Sequence, residues 1–147
     1  WFWHEKNFLN NNPDVHLELG FNEELSHLIY AAADIIVVPS NFEPCGLTQM
    51  IGLKYGAVPV VRGVGGLVNT VFDRDYDQTH PPEERNGYVF YQMDNQALES
   101  ALDRAIGLWY HYPEEFDKLR LQGMEYDYSW NNPGQDYVNI YDHIRHK

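Results

Sequence analysis

The sequence predicts an α/β fold, a Rossmann-like parallel sheet with flanking helices. Three observations carry this reading. Ile35–Val38 (IIVV) and Val58–Val61 (VPVV) are continuous apolar runs rather than alternating ones, the pattern of strands buried on both faces. Segments with helical apolar spacing lie between and after them. The links are short, as in strand–helix–strand units of one parallel sheet. A chain of 147 residues is expected to form one domain.

Taken in order, residues 1–15 begin with aromatic, helix-like character and run into an Asn/Pro/Asp turn. His16–Leu19 (HLEL) reads as a short strand stopped by Gly20. Asn22 is the expected N-cap of a helix reaching about Ala33, with Leu25, Leu28, Ile29 and Ala32 at helical spacing. After the strand Ile35–Val38 comes a loop from Ser40 to Cys45. Gly46 is expected to open the next helix, and Gly56 to close it as a C-terminal glycine. Val58–Val61 is followed at once by Gly63, Gly65 and Gly66. Residues 72–87 form a polar, proline-containing loop before a fourth strand at Tyr88–Tyr91. From about residue 95 to 147 the tail is helical, with breaks before Pro113 and Pro133.

Ten Lys and Arg against 22 Asp and Glu leave a formal charge of −12. An acidic chain without a basic tract lacks the charge that general nucleic-acid binding needs. No apolar stretch is long enough to span a membrane, and no signal or transit segment is seen. The single cysteine, Cys45, excludes an internal disulfide, and no Cys/His grouping has metal-site spacing. The chain starts at Trp1 without an initiator Met and reads as a piece of something longer.

Functional groups of such sheets sit in loops beyond the C-terminal strand ends. In Ser40–Gln49, Glu43 precedes a helix start containing Gly46, Leu47 and Thr48, where free N–H groups and the helix dipole favour an anion. Glu43 and Thr48 serve equally well there as plain helix caps. Gly65 and Gly66, after the second buried strand, read either as an anion nest or as a tight turn. The spacing is not G-x-G-x-x-G, which argues against a dinucleotide fingerprint. Phe21, after Gly20, is either a base-stacking aromatic or a core residue. Trp109, Tyr110 and Trp130 read as helix-packing residues rather than an aromatic binding surface.

The string VPSNFEPCGLTQMIGLKYGAVPVVRGVGGLVNTVFD closely resembles the C-terminal half of bacterial glycogen synthases and plant or cyanobacterial starch synthases. The similarity extends over about residues 16–140, and FEPCGLTQ followed at this distance by GGL is its most specific part. The resemblance implies a GT-B architecture of two facing Rossmann-like domains, with this chain an incomplete sugar-nucleotide-binding domain. The first βα unit and the acceptor domain are missing from it. Carried over by position, Glu43 would contact the donor glucose near the reacting carbon. Cys45, Gly46, Leu47 and Thr48 would present backbone N–H groups to glucose and diphosphate. Phe21 would lie beside adenine, and Gly65 and Gly66 would border the donor.

Three positions depart from related patterns. Ile51 stands where wider relatives carry a second glutamate, in agreement with the synthase branch. Val64 replaces a common Thr, and Asn69 the Asp of the usual DTV. The Lys-x-Gly-Gly-Leu motif of the synthases, and the Arg and Lys that grip diphosphate, do not occur. The resemblance implies glucose transfer from ADP-glucose to the non-reducing end of an α-1,4-glucan with retention, by the parent enzyme. No metal or other cofactor is required, ADP-glucose being the substrate. Arg62 or Lys54 would help set the field in the cleft. The setting implied is a bacterial (cyanobacterial) cytoplasm or a plastid stroma. Two rivals remain: a UDP-sugar-dependent retaining transferase, and a non-catalytic nucleotide- or glucan-binding module. An unpaired sheet edge would also favour a dimer or a swapped assembly.

Overall fold

The computed structural model describes residues 2–131 and 133–146; Trp1, Asn132 and Lys147, which fall in or beside expected helical segments, lie outside them. The elements are α1 (Phe2–Leu9), α2 (Glu23–Ala32), β1 (Ile35–Val38), α3 (Thr48–Tyr55), β2 (Val58–Arg62), β3 (Tyr88–Phe90), α4 (Asn95–His111), α5 (Pro113–Glu125) and α6 (Pro133–Arg145). Two 3₁₀ turns, Gly65–Asn69 and Pro82–Glu84, lie between β2 and β3.

The strands form one parallel sheet in the order β1-β2-β3. Ile35 pairs with Val58 and Val60 with Tyr88. Parallel neighbours require crossovers, which α3 and the long 63–87 segment provide. Side-chain alternation along β2 divides the core in two. Val58 and Val60 join Tyr88, Phe90, Ala101, Ala105, Leu108, Phe116 and Leu119, packing the sheet against α4 and α5. Val61 faces the other way and joins Val38, Leu67, Val71 and Val89, so that the loop after β2 closes the second face.

The local signals act as read at several boundaries. The Asn22 side chain accepts from the Leu25 N–H at 3.0 Å and caps α2. Gly56 ends α3 at φ +85°, a left-handed conformation suited to glycine. Asp94 caps α4 by accepting from Ala97 N–H at 2.8 Å.

Two expectations are corrected. His16–Leu19 is not a strand but irregular backbone. The Asn10 side chain takes over the ladder groups of Leu17, accepting its N–H at 2.6 Å and donating to its carbonyl at 3.2 Å. Without that neighbour β1 is an edge strand among the described residues. It is also not buried on both faces: the α4 and α5 side of the sheet is packed at β2 and β3, and Val37 is exposed.

Candidate functional site

The loops after β1 and β2 meet at the C-terminal end of the sheet. The Gly66 N–H donates to the Glu43 carbonyl at 2.9 Å. A Cβ on Gly65 would run into the Glu43 carbonyl, and one on Gly66 into the Cys45 carbonyl. Gly65 also takes φ +52°. The glycine pair is thus required for close backbone approach. Its Gly66 amide is already used inside the protein, as the tight-turn reading of the pair has it.

Gln49 completes the junction from beneath. It is fully buried, and its Nε2 donates to the Gly46 carbonyl at 2.6 Å and to Thr70 Oγ1 at 3.0 Å. Thr70 in turn donates to the Gly66 carbonyl at 3.1 Å. Arg62 reaches from the end of β2 to the Ser40 and Asn41 carbonyls, at 3.3 and 2.9 Å. None of these tethers was expected from sequence. A polar residue on an apolar helix face is the one signal that marks Gln49, since a buried amide needs partners.

The α3 helix begins at Thr48, not Gly46. Gly46 is a buried loop residue at φ +81°, and Leu47 is the N-cap without any side-chain cap bond. The capping readings of Glu43 and Thr48 are therefore excluded. The half-buried Glu43 carboxylate instead accepts from Ser40 Oγ at 3.1 Å. No side chain occupies the first amides of α3, where the dipole favours negative charge. Cys45, Leu47 and Thr48 around it are exposed.

Phe21 is 91% exposed beside Gly20 at φ +125°, so it is not a core residue. Lys54 lies elsewhere: its Nζ donates to the Met124 carbonyl at 2.7 Å and ties α3 to α5. Of the two cations expected to set the field, only Arg62 adjoins the loops. Trp109, Tyr110 and Trp130 do not pack the helices inward; they are 44%, 72% and 72% exposed. Among the described residues no His/Cys/Asp/Glu cluster suits a metal ion, and no helix is long and apolar enough to cross a membrane.

No protein-family model matches the chain. Glycogen synthase 1 of Trichormus variabilis is 80% identical over 146 residues, 99% of this chain and 30% of that protein. Glycogen synthase 1 of a Synechococcus species is 76% identical over the whole chain, again 30% of its length. The chain thus spans about 30% of the length of these curated relatives. Its fold superposes on the catalytic domain of starch synthase IV from Arabidopsis thaliana, bound to ADP and acarbose, with TM-score 0.90 and 39% identity. That match covers 97% of this chain and 29% of the other. By sequence and fold, this chain is a segment of the glycogen synthase and starch synthase family.

Proposed function

We propose that the protein spanned in part by this chain transfers glucose from ADP-glucose to the non-reducing end of an α-1,4-glucan, with retention. The carrying observation is the uncapped start of α3, flanked by the Glu43 carboxylate and joined to the Gly65–Gly66 turn. Negative charge builds on the departing diphosphate in such a transfer. The N–H groups from Leu47 onward, with Arg62 adjoining, are the groups on this chain that would stabilise it. Glu43, Cys45, Gly46, Leu47 and Thr48 surround that position, and Glu43 would orient the sugar and offset positive charge at its anomeric carbon. Phe21 offers a free ring face for adenine. Binding of ADP and acarbose by the starch synthase IV domain supports both ligand classes. Ile51 agrees with the synthase branch of the resemblance, which favours ADP-glucose over a UDP-sugar donor. No metal or cofactor takes part in this scheme. The cyanobacterial relatives favour a bacterial cytoplasm as its setting.

The test is incorporation of labelled glucose into glycogen by the full-length protein, with ADP-glucose and UDP-glucose compared. Incorporation from ADP-glucose is expected, and the 147-residue chain alone should give none. Transfer needs donor and acceptor held together, and this chain carries only part of the donor side. A full-length protein that binds ADP but transfers no glucose would return the site to a binding module.

A further inference from the structure

A cavity of about 500 Å³ opens at the C-terminal end of β3, between the Val68–His80 segment and the start of α4. None of Phe21, Glu43–Thr48 or Gly65–Gly66 lines it. Its size falls within the ~300–1,000 Å³ typical of small-molecule sites. Buried Val71, Val89 and Ala101 form apolar wall. At its rim stand two mostly exposed aromatic rings, Tyr76 at 70% with Arg104 against one face and Tyr91 at 64% beside Gly63.

The charges in the cavity are consumed internally. The Arg104 guanidinium donates to Asp73 at 2.9 and 3.0 Å and to Asp75 at 3.0 Å, and lies 4.5 Å from the Tyr76 ring. Asp77 accepts from the Thr79 N–H and hydroxyl and from the His80 N–H, at 2.6, 2.8 and 3.0 Å. No unpaired cation is left to hold a phosphate, and the chain as a whole is strongly acidic. What remains open is neutral. The side chains of Gln78, Gln92 and Ser100 line the cavity and make no hydrogen bond to the described residues. Open aromatic faces beside free amides and a hydroxyl match an uncharged polyhydroxylated ligand. The rings cover its C–H faces, and the amides both donate to and accept from its hydroxyls.

We propose that this cavity is a second carbohydrate site, which binds a short stretch of neutral glucan beside the donor loops but outside them. The oligosaccharide class follows from the cavity; its identity as α-1,4-glucan rests on the function proposed above. Such a site would retain a long polymer near the protein and raise its effective concentration without touching the reacting end.

Tyr76→Ala and, separately, the double change Gln78→Ala/Gln92→Ala test this in the full-length protein. Two readouts are needed: retardation in native gels containing glycogen, and kinetics with glycogen against maltotriose as acceptor. Both variants should lose retardation and show at least a threefold higher KM for glycogen. The KM for ADP-glucose and turnover on maltotriose should stay within twofold of wild type, which a folding defect would not allow. Wild-type retardation and glycogen KM in both variants would overturn the proposal. Were the protein to transfer no glucose at all, the proposed function would fail. Retardation would still decide this site: its loss in both variants supports a carbohydrate site, and its retention overturns one.

Discussion

The Gly66 N–H and the Glu43 carbonyl are joined at 2.9 Å, so the loops after two adjacent strands form one backbone unit. Glu43 is therefore placed by the glycine turn as well as by its own loop. A Cβ at Gly66 would overlap the Cys45 carbonyl. Gly66→Ala should move both loops apart, with loss of ADP binding in the full-length protein by tenfold or more and a lower melting temperature. Calorimetric titration with ADP checks this; unchanged affinity would show that the loops act independently.

Glu43→Gln separates chemistry from stability. The Glu43 side chain caps no helix, and its carboxylate accepts from Ser40 Oγ at 3.1 Å. The variant should melt within a few degrees of wild type. Its kcat should fall at least about a hundredfold, about 2.7 kcal/mol of transition-state stabilisation. ADP affinity should hardly change, because ADP lacks the glucose that Glu43 is proposed to touch. Retention of half the turnover would remove Glu43 from the proposed chemistry.

Phe21 is 91% exposed, so Phe21→Ala should leave stability unaltered. If the ring stacks on adenine, ADP binding should weaken by about 1–2 kcal/mol, the scale of base–aromatic stacking. Phe21→Tyr should keep the affinity. Equal ADP dissociation constants for wild type and the alanine variant would exclude the contact.

Asp73 ties the 72–87 segment to β3 and α4. Its side chain is 8% exposed, and it accepts from Arg104 at 2.9 and 3.0 Å and from the Val89 N–H at 2.6 Å. Asp73→Ala leaves Arg104 with Asp75 and the Val89 carbonyl, unpairs the buried Val89 N–H, and should cost about 1–3 kcal/mol. Asp73→Ala/Arg104→Met should recover part of that, because the half-paired charge is removed as well. Urea unfolding of the three proteins measures the difference.

Asp77 makes the same segment sensitive to acid. Burial pushes its carboxyl up, but the Thr79 and His80 N–H groups, with the Thr79 hydroxyl and His80 ring, outweigh it and hold it well below the ordinary range. A depressed folded-state value gives stability that is complete above the unfolded value, about 3.9, and is lost as pH falls through the folded one. Asp77→Ala should melt a few degrees below wild type at pH 7, with the gap shrinking below about pH 4. A gap that stays constant down to pH 2 would contradict this.

The sequence by itself determined the elements whose signals are local. The β-branched runs became β1 and β2, Asn22 capped α2, Gly56 ended α3, and Pro113 and Pro133 started the last two helices. The motif from Phe42 to Gln49 and the Gly65–Gly66 pair were equally legible, as was their position at the strand ends. What the tertiary structure alone decided depends on partners distant in sequence. Asn10 holds the Leu17 backbone where a strand neighbour would, and Gln49 is buried with its amide on Thr70 and Gly46. Glu43 was freed from capping because Gly66 drew its backbone across to the β2 loop. The Asp73–Arg104 pair joined groups 31 residues apart. A period or a cap is read within one or two turns of chain. A hydrogen bond across the sheet end exists only once the strands have set the loops within 3 Å of each other.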